Sequence, residues 1–86
     1  MKQPPHEASP RPFATYYYRS PRDNPQDWSR IGHAATLRGA IRAAVVRLYD
    51  GTYGKATIYG LDGEAVAHLT HKPTGIHILG VFHGQG

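Results

Sequence analysis

Only one stretch of this chain has the period of a helix, and it is short. Thr36 is placed to cap it, Leu37 is its first helical residue, and Gly51 supplies a residue able to take the left-handed conformation at its end. At 100° per residue, Leu37, Ile41, Ala44, Val45 and Leu48 share one arc, the expected core face. Everything else with apolar content is β-like and brief, so a single helix must cover whatever sheet the rest forms.

The sequence before the helix divides in two. Phe13-ATYYYR-Ser20 is aromatic and threonine-rich and is expected to be a strand. Ser20 to Gly32 collects Pro21, Pro25, Asp23, Asn24 and Asp27 and is expected to be a loop, pinned to the core by Trp28 and Ile31. Residues 1–12 hold Pro4, Pro5, Pro10 and Pro12 with no large apolar residue after Met1, the composition of a disordered arm.

After the helix come three β segments. Lys55-ATI-Tyr59 leads through Asp62-Gly63, a hairpin signal, into Glu64-AVAHLT-His71. Lys72-Pro-Thr-Gly75 has the form of a type I turn and leads into Gly75-IHILGVF-His83. The expectation is an α+β fold in one small domain, 13–84, of order β-α-β-β-β. It is an antiparallel meander with the first strand added at an edge and one helix packed on one face. Ile41, Val45, Leu48, Ile58, Leu69, Ile76, Ile78 and Phe82 are its expected large core residues. That is a thin core for 86 residues.

Charge says more by distribution than by total. Ten basic residues against six acidic give +4, with an expected pI near 9.7. Between Asp27 and Asp50, Arg30, Arg38, Arg42 and Arg47 meet no carboxylate. Arg38 and Arg42, four apart, share a helix face, as phosphate or carboxylate recognition would use them. A solvated face is the plain alternative, although such faces usually intersperse glutamates. Gly39, Ala43 and Val46 form a smooth strip beside them, expected to admit a partner helix or a second copy in a homodimer unless the loop or first strand covers it.

The outward positions of the sheet form the other candidate surface. If Ala56, Ile58, Ile76, Ile78 and Phe82 face the helix, then Lys55, Thr57, Tyr59, His77, Leu79, Val81 and His83 face away. Either Tyr17 or the pair Tyr16 and Tyr18 joins them, according to register. Exposed tyrosines beside a lysine suit base stacking or a protein interface, although an antiparallel sheet with one wet face also exposes tyrosine routinely. The ribonucleoprotein signature of sheet-based RNA binders is missing.

Enzyme chemistry finds little to work with. The chain has no cysteine, no G-x-S-x-G, no phosphate loop and no carboxylate pair at useful spacing. Gly51-TYGK-Ala56 lacks the P-loop pattern. The six histidines (His6, His33, His68, His71, His77, His83) show no metal-ligand spacing. No cofactor or metal is expected. No apolar h-region or membrane-length run occurs, which sets a cytoplasmic expectation.

Thr36-LRGAIRAAVVRLYDGTYGKATIYGLDGEAVAHL resembles the small proteins encoded by temperate phages and mobile elements of high-GC bacteria, a class that includes anti-CRISPR and other host-directed inhibitors. The resemblance covers about half the chain and carries no diagnostic motif, so it transfers no site residues. It implies a free-standing basic domain that occupies a surface of a host machine. The expected function is a non-enzymatic protein that docks on an acidic protein surface or nucleoprotein complex and inhibits or regulates it. Arg38, Gly39, Arg42, Ala43 and Arg47 of the helix, or Tyr17 and Tyr59 of the strands, would make the contact. The alternative is a nucleic-acid-binding accessory protein using the same arginines on phosphates and Tyr17 or Tyr59 for stacking.

Overall fold

The computed structural model describes residues 12–80. The expected arm and Val81, Phe82 and His83 lie almost wholly outside that range, and with them the Phe82 core assignment. Within it the chain forms β1 (Phe13–Tyr18), a 3-10 turn (Pro25–Asp27), β2 (Arg30–Ala34), α1 (Leu37–Tyr49), β3 (Lys55–Tyr59), β4 (Ala65–Lys72) and β5 (Gly75–Leu79). All neighbouring strands pair antiparallel in the spatial order β2-β1-β3-β4-β5. The α+β architecture of one sheet, one helix and a β3-β4-β5 meander is the expected one.

The sheet has one strand more than expected. Arg30–Ala34 fell inside the expected loop, yet it pairs with β1 from Phe13↔Ala34 to Tyr17↔Arg30 and takes the edge position, so β1 is interior. Ser29 N–H donates to the Tyr17 carbonyl at 2.8 Å and begins that ladder.

The helix obeys its signals. Thr36 stays extended, and its hydroxyl oxygen accepts from the Gly39 N–H at 3.0 Å. Gly51 takes φ +86°, the left-handed turn that ends the helix. The buried arc is narrower and differently centred than the sequence suggests. Ala40, Ala44 and Leu48 are buried, whereas Leu37, Ile41 and Val45 are only partly so. Ala40 and Ala44 belong to one core cluster with the strand alanines Ala56 and Ala67. Small side chains on both layers let the helix lie close to the sheet.

Ile58, Leu69 and Leu48 fill the core as expected. Ile76 packs only partly, and Ile78 stays 41% exposed, because β5 is an edge strand. Tyr17, on β1, is instead among the largest fully buried side chains.

One corner of the other sheet face is closed by the Arg19–Trp28 loop. The Tyr18 hydroxyl donates to the Pro25 carbonyl at 3.3 Å. Lys55 Nζ sits 4.6 Å from the Tyr18 ring centre and donates to the Asp23 carbonyl at 2.7 Å. Gly54 makes this closure feasible. A Cβ there would stand 2.5 Å from Pro21 Cδ and 3.1 Å from the Arg19 carbonyl oxygen.

Candidate functional site

Strand alternation and the registers place two sets of side chains on opposite faces. Phe13, Thr15, Tyr17, Ala56, Ile58, Ala67, Leu69 and Ile76 face α1. Away from the helix runs a row formed by Ile31, Tyr16, Thr57, His68 and Leu79, each opposite the next across the sheet. Beside it runs Tyr18, Lys55, Thr70 and His77. The sole α-helix of the described residues lies on the first face, so beyond the corner loop no described helix or strand covers the second.

This open face carries an aromatic cluster. Tyr16 meets Trp28 at 5.7 Å and Tyr59 at 5.2 Å between ring centroids, both edge-to-face. Such contacts contribute about 0.5–1.5 kcal/mol each beyond burial. Trp28 therefore packs on the outer face rather than pinning the loop to the core, and it remains 46% exposed. Thr57 is closed over between Tyr16 and His68, and its hydroxyl lies 3.3 Å from His68 Nδ1. Leu79, at the far end of the row, is 67% exposed.

The register also decides among the tyrosines. Tyr17 is buried at 1% exposure on the helix face, so it cannot serve as an outward stacking residue. Tyr16 and Tyr59 are the tyrosines of the open face, and Tyr18 lies beneath the loop. Burial raises the Tyr18 phenol above its usual pKa. For Tyr17 burial also wins, opposed by the positive charges of Arg47 and Arg30.

On the helix, Arg38, Arg42 and Ala43 are exposed on the outer side. Arg47 is not beyond that edge in open solvent: it is half-buried, with Cζ 5.5 Å from the Tyr17 ring centre. Gly39 has a local reason to be glycine. A Cβ would press within 3.1 Å of the capping Thr36 hydroxyl and touch Ala34 of β2. The smooth strip is thus partly covered at that end, and the strand responsible was the one hidden in the expected loop. Arg38 and Arg42 do not meet the open-face aromatics in one site, and Arg47 meets only the buried Tyr17.

The strands and α1 together contain Arg30, Arg38, Arg42, Arg47, Lys55 and Lys72, and neither aspartate nor glutamate. The acidic residues among those described, Asp23, Asp27, Asp50, Asp62 and Glu64, sit in turns and connections. Several are spent there: Asp50 Oδ1 accepts from the Thr52 N–H and hydroxyl, which together hold its carboxyl below the usual range. Asp62 Oδ1 accepts from the Glu64 N–H. Among the described residues no group of three or more histidines or carboxylates stands close enough to hold a metal ion. No described helix is long and apolar enough to cross a membrane. No protein-family model, no curated protein and no solved structure matches this chain.

Proposed function

We propose that this protein is a small non-enzymatic binding domain that docks, through the open face of its sheet, on an acidic protein surface and inhibits or regulates the protein that bears it. The observation that carries the reading is the Trp28–Tyr16–Tyr59 cluster on a sheet face that no helix or strand of the described residues covers. Partly exposed aromatics locked against each other offer contact area at little entropic cost, the property of interface hot spots. Leu79, at the far end of the same row beyond Thr57 and His68, adds an exposed apolar side chain. Lys55 and Lys72 stand on the same face and no described strand carries a carboxylate, which supports an acidic partner. That it acts as an inhibitor, as phage-encoded host-directed proteins do, is the part of the proposal that rests on sequence style.

Nucleic-acid binding is the second reading, favoured by the same lysines. The ring geometry supports it less. A stacking platform presents ring faces to the bases, whereas Tyr16 is set perpendicular to both neighbours and packed against them.

Affinity capture from a bacterial lysate tests the assignment. The doubly substituted Trp28→Ser, Tyr59→Ser protein should lose the partner that the unaltered protein retains, and Arg38→Glu, Arg42→Glu should keep it. Retention by the first variant and loss by the second would move the site to the helix.

A further inference from the structure

The helix side of the sheet is not sealed along its β2 edge. Between α1 and β2 opens a cleft of about 310 Å³, lined by Thr15 and Tyr17 of β1, all of β2, and Ala40, Ala43 and Arg47 of α1. Its floor exists because two positions lack bulk. Gly32 has no side chain, and a Cβ there would meet Tyr17 Cε2 at 3.2 Å. Ala40 leaves the helix wall flat.

The lining is chemically one-sided. Arg30 enters from the strand and Arg47 from the last turn of the helix, and no described carboxylate lines the cleft. Arg47 is held in place over the Tyr17 ring. The hydroxyl-bearing side chains of Thr15 and Tyr17 complete the wall. The Tyr17 phenol, protonated at neutral pH like any tyrosine and pushed further up by burial, has an O–H to donate. Two guanidiniums and two hydroxyls are four donor groups with no acceptor charge among them.

We propose that this cleft binds a phosphate monoester carried by a small molecule. The charge balance selects the group. A monoester carries about −1.5 to −2 at neutral pH, which matches two guanidiniums, whereas a carboxylate would leave one uncompensated. The planar guanidinium fork fits phosphate oxygens, and hydroxyls can satisfy those that remain. The volume is at the low end of ligand pockets, roughly 300–1,000 Å³, which leaves room for the phosphate and a short ester group. The cleft belongs to the helix side of the sheet, so this assignment does not depend on what docks on the open face.

Isothermal titration calorimetry of the full chain with inorganic phosphate, glycerol phosphate and phenyl phosphate, at matched ionic strength, tests it. Saturable binding is expected, with at least one ester as tight as the free ion. Arg30→Gln, at an exposed edge position, should weaken it about tenfold or more, the scale of a lost charged hydrogen bond. Arg47→Lys, which keeps the charge and removes the fork, should also weaken it. Arg38→Gln, Arg42→Gln on the outer helix face should leave it unchanged. Absence of saturation at millimolar ligand overturns the proposal, as does binding of inorganic phosphate alone. So does an equal loss in the outer-arginine variant, since that would report diffuse charge rather than a site.

Discussion

Gly54→Ala should destabilise this protein, against the usual direction of such a change. Where an alanine can adopt the backbone of a glycine without strain, the replacement stabilises by about 0.4–1 kcal/mol through the unfolded chain. At Gly54 a Cβ would fall 2.5 Å from Pro21 Cδ, 3.0 Å from Pro21 N and 3.1 Å from the Arg19 carbonyl oxygen. Two of these are backbone atoms, so a side-chain rotation cannot relieve the overlap. The corner also holds two hydrogen bonds, Gly54 N–H to the Tyr18 carbonyl and His71 N–H to the Gly54 carbonyl, each at 2.9 Å. Overpacking of this kind costs about 1–3 kcal/mol. With a urea slope of about 1 kcal/mol per molar for a small domain, the midpoint should fall by about 1–3 M. Gly60→Ala is the control, because its Cβ would make ordinary contacts of 3.4 Å with Val66 and 3.5 Å with Asp62. It should be neutral or slightly stabilising. Emission from Trp28, the single tryptophan, reports both the unfolding and any displacement of the loop that ends beside it. A Gly54→Ala midpoint equal to or above that of Gly60→Ala would refute the close-approach argument.

Two further outcomes follow from local chemistry. Thr36→Ala removes the hydroxyl that accepts from Gly39 N–H and should cost about 1 kcal/mol, read as a lower urea midpoint at unchanged slope. The Tyr17 and Tyr18 phenols have folded-state pKa values raised above 10.0, chiefly by burial. Their contribution to stability is whole below the unfolded pKa and is lost as pH rises through the folded values. Ultraviolet titration should show a fraction of the tyrosines ionising late, and thermal unfolding temperature should drop above pH 10 less steeply in Tyr17→Phe.

The elements that were legible in the sequence are those fixed by their own residues. Thr36 and Gly51 bound the helix by local backbone chemistry, and Asp62-Gly63 and Pro73-Thr-Gly75 mark the turns of the meander. Strand β2 was not legible because its identity is borrowed. Arg30-Ile-Gly-His-Ala has weak strand character, and Gly32 stands there because the Tyr17 ring passes over it. A tertiary contact chose that residue, and no local pattern reports it. The tyrosine run was ambiguous for a related reason. Tyrosine suits both faces of a sheet, so Tyr16-Tyr17-Tyr18 reads equally well in either register. Only pairing with β3 places Tyr17 inward and Tyr16 beside Tyr59. The core was misweighted toward large residues, whereas Ala40, Ala44, Ala56 and Ala67 are all fully buried in the cluster between helix and sheet. Of the open-face cluster, Tyr59 was readable, and Tyr16 belonged to one of two registers the sequence left open. Trp28 emerged only with the fold, since its contact with Tyr16 joins a loop to the outer side of an interior strand.

Oxidative footprinting of the captured complex tests the central claim most directly, because aromatic side chains mark both surfaces. Trp28 and Tyr59 report the open sheet face, and Tyr49, 78% exposed on α1, reports the helix. The account predicts that partner binding suppresses oxidation at Trp28 and Tyr59 and leaves Tyr49 at its free rate. Protection of Tyr49 with Trp28 and Tyr59 unchanged would contradict it and make the arginine-bearing helix the docking surface.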